Sequence, residues 1–205
     1  MRVRLRDRLA SAPAVCRRWL ALYVPVATLV LGVSTVAGFL LGSAVPVEEI
    51  PMPDASGGDT GVFPPLTTVD LAVNNLVAMF VMLLGAVSLG LMTLFALLLN
   101  GLLIGAVVGL ALQTLDPLVV LALLLPHGIL EIPAFLIASA VGLRFARLTV
   151  RYVRGLESDL VTRRDLREAG WLVAVSALLI VVAAYVEANV TIAVAERVAG
   201  GSLPA

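Results

Sequence analysis

The chain is poor in charge and in the residues that build most catalytic and disulfide-bonded sites. Of its 205 residues, 14% are charged and 5% are aromatic, and there is one cysteine and one histidine. Soluble domains carry about 25% charged residues, so this composition excludes an ordinary globular enzyme, a disordered chain and a nucleic-acid-binding domain. One cysteine excludes an intrachain disulfide, and one histidine with one cysteine is too few ligands for a typical zinc site.

Apolar sequence fills the chain instead. Hydrophobic residues make up 60% of it, and the mean hydropathy is +1.06. They form long runs, and a helix that crosses a bilayer needs about 20 such residues. The sequence therefore predicts an all-α, multi-pass protein of the plasma membrane, with the lipid bilayer as a partner and no nucleic acid.

Five transmembrane helices are predicted. The stretch 71–115 contains no charged residue, and as one helix it would be about 68 Å long, too long for a single crossing. We place its break between Gly85 and Gly90, where glycines and a serine cluster. The predicted spans are residues 20–45, 70–87, 91–115, 118–143 and 171–195; a re-entrant segment at 100–115 is the main alternative.

The distribution of charge predicts the orientation. Residues 1–19 form an arm with six arginines and one acid, and the loop 144–170 holds seven arginines. The loop 46–69 holds only acidic charges. Because basic segments stay in the cytoplasm, the N-terminus and the loop 144–170 are predicted inside. The acidic loop and the C-terminus are predicted outside, and residues 20–205 form one membrane domain.

Two local patterns refine the inner loop. Four arginines, at positions 144, 147, 151 and 154, recur at helical spacing, so the fourth helix is expected to continue into the cytoplasm. Thr162 and Asp165 have the spacing of a capping box, which predicts the start of the fifth helix.

The fourth span carries the most unusual polar residues. His127 and Glu131 are four residues apart, so they share a helix face. Pro126 and Pro133 lack N–H donors, and we therefore expect the helix to be broken near Pro126-His127-Gly128 and buried in the bundle. An ionisable pair at this depth is either a functional site, such as a proton or ion relay or a docking pocket, or a structural link between helices.

Three further residues complete the candidate polar site: Asn75, Asn100 and Glu187. For the two amides, hydrogen bonding between helices is favoured over contact with a substrate. Glu187 falls near the outer end of the fifth span, where the alternative is a hydrated position at the membrane surface.

Small residues predict close helix packing. Gly101, Gly105 and Gly109 form a ridge on the third helix, a pattern that lets two backbones approach. A partner helix in the same chain is favoured over another protomer, and Gly38 and Gly42 offer a similar face on the first helix. Three residues of the fourth span are also predicted to lie at helix-packing positions: Pro126, Gly128 and Pro133.

Signatures of catalysis are missing from the sequence. It has no GxSxG and no P-loop motif. A Ser–His intramembrane protease would need a serine facing His127, and none is indicated. An aspartyl dyad would need two buried aspartates, whereas Asp70 and Asp116 lie at span ends. We therefore predict no enzyme activity, no cofactor and no metal site.

One block of sequence has the specific core Leu125-Pro126-His127-Gly128-Ile129-Leu130-Glu131-Ile132-Pro133-Ala134. This block resembles the stage II sporulation protein M family. The resemblance covers residues 70–145 well and the fifth span weakly. In the fifth span Glu187 fits the family pattern, but Thr191-Ile192 stands where the family has Thr-Pro. The supporting positions are Asn75, Gly85, Gly90, Thr93, Asn100, Gly101, Gly105 and Gly142.

The resemblance implies a membrane protein of about five helices. In endospore-forming bacteria the founding member of the family is a non-catalytic anchor for peptidoglycan-degrading enzymes, and many homologues occur in organisms that make no spores. We therefore expect a membrane scaffold or assembly subunit that positions partner proteins, with self-association left open. The alternative is a subunit of a transporter or channel that uses His127 and Glu131 at the membrane midplane.

Overall fold

The computed structural model describes residues 14–46 and 67–201, and within these ranges the chain is helical and contains no strand. Five of its helices are long and apolar enough to cross a membrane, which confirms the predicted class and number of spans. The predictions for residues 1–13 and 47–66 lie outside the described residues. The helices are α1 (Tyr23–Ala44), α2 (Thr68–Leu83), α3 (Leu91–Ala111), α4 (Pro117–Val153), α5 (Arg163–Val186) and α6 (Ile192–Ala199).

A tight turn separates α2 from α3 at the predicted break. A 3-10 turn at Leu84–Ala86 follows α2, and the Gly90 N–H donates to the Gly85 carbonyl at 2.9 Å. Gly90 has a φ of +91°, which glycine adopts without a steric penalty. From there α3 continues as one helix of 21 residues, about 32 Å long, which favours a full span over a re-entrant segment.

The first and third helices are packed backbone to backbone. A Cβ added at Gly105 would overlap the Thr35 carbonyl oxygen of α1, and one added at Gly38 would overlap the Leu102 backbone of α3. A Cβ added at Gly101 or at Gly109 would likewise overlap atoms of α1. The glycine ridge of α3 thus has its partner helix in the same chain.

The predicted break in the fourth helix is wrong. α4 runs unbroken for 37 residues, with Pro126 and Pro133 inside it. Each proline removes only one N–H donor, and neighbouring helices commonly compensate for this in membranes. At about 55 Å, α4 is longer than a bilayer core, so it continues beyond the apolar span as predicted. The connection to α5 is therefore shorter than the predicted loop and covers residues 154–162.

The fifth helix begins at the predicted capping box. The Thr162 hydroxyl accepts a hydrogen bond from the Asp165 N–H at 3.1 Å, and the Asp165 carboxylate accepts one from the Thr162 N–H at 3.2 Å. The helix continues through a π-helical turn at Glu187–Thr191 into α6. Buried residues of all five long helices, among them Ala27, Met82, Leu97, Phe135 and Ile180, form the centre of the bundle.

Candidate intramembrane polar site

Three ionisable residues meet where the end of α5 passes α4. His127 and Glu131 occupy successive turns of α4, and Glu187 opens the π-helical turn after α5. One imidazole nitrogen and one oxygen from each carboxylate lie within 4.8 Å of one another. Local spacing predicted the His127–Glu131 pair, and the structure places Glu187, the third ionisable residue of the predicted site, beside that pair.

The packing of α4 against α5 brings Glu187 to this position. The buried Ser176 hydroxyl of α5 donates to the Ala134 carbonyl of α4 at 2.6 Å, one turn from Glu131. Since the two helices run in opposite directions, residues later in α5 meet residues earlier in α4. Glu187 continues the helical backbone of α5, with its N–H donating to the Ala183 carbonyl, and the π-helical turn begins at this residue. Such turns occur frequently at functional sites.

The polar groups of this cluster have unused bonding capacity. The His127 Nδ1 is buried and has no hydrogen-bond partner. Among residues 14–46 and 67–201, no arginine forms an ion pair with Glu131 or Glu187. The three residues are half-buried, and charges removed from water are normally paired or bound to a metal ion, so the cluster can accept protons or a cation.

The two asparagines of the predicted site lie elsewhere in the hydrogen-bond network. The Asn75 side-chain oxygen accepts a hydrogen bond from the Asn74 amide at 3.3 Å. The Asn100 amide donates to the Ala96 carbonyl of its own helix at 2.8 Å. In the described part of the chain, neither amide is hydrogen-bonded to His127 or Glu131.

The packing role predicted for the fourth span also differs from the structure. No atom outside the local helix lies within 4 Å of a Cβ placed at Gly128, so this glycine is not a close helix contact. Pro133 is exposed and Pro126 is half-buried. The specific motif of α4 therefore surrounds His127 without forming a tight helix interface at Gly128.

A second charged cluster at the other end of α5 was not predicted. The fully buried Trp19 donates its indole N–H to the Glu168 carboxylate at 2.7 Å. Arg144 donates to the Arg18 carbonyl at 2.9 Å and stacks over the Trp19 ring at 4.6 Å. Arg18 forms ion pairs with Asp165 and Glu168. These contacts fix the end of the N-terminal arm to the start of α5 and to Arg144 of α4.

The two acids of this cluster precede the predicted span 171–195. Burial alone would raise the pKa of Asp165, but hydrogen bonds from Thr162 and the charges of Arg18 and Arg144 hold it below its usual value. For Glu168, burial is likewise outweighed by Arg164, Trp19 and Arg18, so the pKa is lowered. Both acids therefore carry their charge in the folded protein at neutral pH.

Comparison with known proteins gives two matches. The family model described as "Stage II sporulation protein M" matches residues 27–192. An uncharacterized protein of Methanocaldococcus jannaschii is 35% identical over 122 residues, which is 59% of this chain and 68% of that protein. No solved structure matches.

Proposed function

Since the chain belongs to the stage II sporulation protein M family, we propose that it is a non-catalytic subunit that holds partner proteins at the plasma membrane. The coarser statement, that it is a multi-pass membrane protein of this family, follows from the family match and the five apolar helices. Three points are proposed beyond this: the protein recruits partners, it does so at the plasma membrane, and a particular surface binds the partners.

The observation that carries the proposal is a set of exposed arginines without ion-pair partners in the described chain, at the loop end of α4 and α5. We call it the arginine face, and it consists of four exposed residues: Arg147, Arg154, Arg163 and Arg167. No acid of the described chain forms an ion pair with them, whereas Arg151 and Arg164 are paired with Glu157 and Glu168.

The arginine face is held in a fixed arrangement. The helices that carry it are tied by the ion pair between Arg144 and Asp165 at 3.5 Å, and the capping box fixes the start of α5. A surface that is ordered before binding loses less entropy when a partner docks. The complementary partner is an acidic protein segment in the cytoplasm.

Photo-crosslinking in membranes of the native host tests the recruiting role. A photoreactive amino acid replaces Arg167 on the arginine face, and the control replaces the exposed, lipid-facing Val182 of α5. We expect one discrete protein adduct at position 167 and only lipid adducts at position 182. Lipid adducts at both positions would indicate that anionic headgroups occupy the arginine face, and would contradict the proposal.

A second candidate function is supported by the His127–Glu131–Glu187 cluster. Ionisable residues within a bundle are typical of proton and ion pathways, so the protein is alternatively a transport subunit. Glu131→Gln in proteoliposomes separates the two functions. Loss of proton or cation flux with a folded, assembled protein would support transport, whereas flux equal to that of empty liposomes for the wild type would reject it.

A further inference from the structure

We propose that His127, Glu131 and Glu187 bind one divalent transition-metal ion between α4 and α5. The site is distinct from the arginine face, and it goes beyond the recruiting role proposed above. Its starting point is the convergence of one imidazole nitrogen and two carboxylate oxygens within 4.8 Å of one another. The ligands come from two helices that are far apart in sequence, so the ion would join them.

The charges of the cluster favour a cation. Two carboxylates at this separation repel each other, and the repulsion is strong where water is scarce. No basic side chain of the described chain forms an ion pair with either of them. A divalent ion would neutralise both charges at once, which is one of the accepted ways to bury carboxylates.

The histidine provides a second, independent indication. The His127 Nδ1 is buried without a hydrogen-bond partner, although most buried polar atoms have one. Imidazole nitrogens are among the commonest metal ligands. Coordination at either ring nitrogen, with a bound water or a shifted carboxylate at the other, would satisfy the ring.

The donor set determines the class of ion. Imidazole binds zinc, iron and similar ions well, and carboxylates bind manganese and also the harder magnesium and calcium ions. The combination favours Mn²⁺, Fe²⁺ or Zn²⁺ over Mg²⁺ and Ca²⁺. Soft ions that need thiolates are disfavoured because Cys16 lies in the segment before α1, at the opposite end of the bundle from α6.

The present spacing is compatible with binding after a small adjustment. Nitrogen and oxygen ligands lie about 2.0–2.2 Å from zinc, so ligand atoms around one ion must approach more closely than 4.8 Å. Rotation of the two glutamate side chains provides this movement. Three protein ligands leave at least one coordination position for water or another small ligand.

The test uses the full-length protein, purified without a histidine tag so that His127 is its one imidazole. After treatment with a chelator, the protein is loaded with Zn²⁺ and then with Mn²⁺ in separate samples. We expect one ion per chain, and zinc X-ray absorption that reports one imidazole nitrogen with oxygen ligands and no sulfur. Failure of the folded protein to retain either ion, or a coordination shell without imidazole, would overturn the proposal.

Matched variants locate the ion. Glu131→Gln and Glu187→Gln are each expected to weaken binding by about tenfold or more. Glu196→Gln changes an exposed acid of α6 and is expected to bind as the wild type does. Unchanged affinity in both site variants, or an equal loss in the control, would place the ion elsewhere. If the site variants do not fold, the imidazole signal of the wild type decides alone.

Discussion

Glu187, the first residue of the π-helical turn after α5, faces Glu131 of α4, and His127 joins them so that their ligand atoms lie within 4.8 Å of one another. The relationship links the specific motif of α4 to the last span. It also explains why an acid near the end of the fifth span belongs to the same site as a motif in the fourth.

The contact between α1 and α3 predicts a strong effect of one methyl group. Gly105→Ala places its Cβ against the Thr35 carbonyl of α1, so the helices must separate. We expect a loss of about 1–3 kcal/mol in the free energy of unfolding, measured by titration with denaturing detergent. The matched control is Gly32→Ala on α1, where no described atom outside the local helix lies within 4 Å of the added Cβ. Equal effects of the two substitutions would contradict the close packing.

Cys16 gives a direct test of the predicted orientation. It is the one cysteine of the chain and is exposed, and the basic arm predicts that it lies in the cytoplasm. A membrane-impermeant maleimide should label it only after the cells are permeabilised. In a Cys16→Ser background, Gly201→Cys should be labelled in intact cells. The reverse labelling pattern would contradict the predicted orientation and would place the N-terminal side of the chain outside the cell.

The charged cluster around Trp19 predicts a dependence of stability on pH. The pKa values of Asp165 and Glu168 are lowered in the folded protein, so their stabilising contribution is complete above the usual carboxyl values of about 4. It is lost as the pH falls through the lowered values. The unfolding temperature of the wild type in detergent should therefore fall between neutral and acidic pH.

Variants isolate this contribution from that of other acids. Asp165→Asn combined with Glu168→Gln should lower the unfolding temperature at neutral pH and should make its decrease toward acidic pH smaller. Glu196→Gln, an exposed acid of α6, should keep the wild-type dependence. A double variant with the full dependence of the wild type would show that the stability at neutral pH has another source.

Hydropathy and local patterns were sufficient to predict most of the fold. Long apolar runs located the five spans, and Gly90 and the Thr162 capping box located two helix boundaries because their physical causes are local. The proline rule failed for α4, where Pro126 and Pro133 remain inside one helix. Local sequence does not report how the rest of a long helix compensates for two missing donors.

The site was less predictable because it depends on contacts between distant helices. The spacing of His127 and Glu131 was enough to predict a pair, but the position of Glu187 beside them depends on the register of α5 against α4. Asn75 and Asn100, which have the same polar character in an apolar setting, are bonded to residues of their own helices. The Trp19 cluster joins residues 18–19 to 144–168, a separation that no local pattern reveals.

The most direct test of the recruiting role is affinity purification from the native host in a mild detergent, with co-purifying proteins quantified by mass spectrometry. We expect the wild type and Arg197→Ser, a control outside the arginine face, to retain a stoichiometric protein partner. Arg163→Ser combined with Arg167→Ser should lose it while remaining folded. A wild type that elutes as a pure monomer or homo-oligomer, with no stoichiometric partner after washing, would contradict the account.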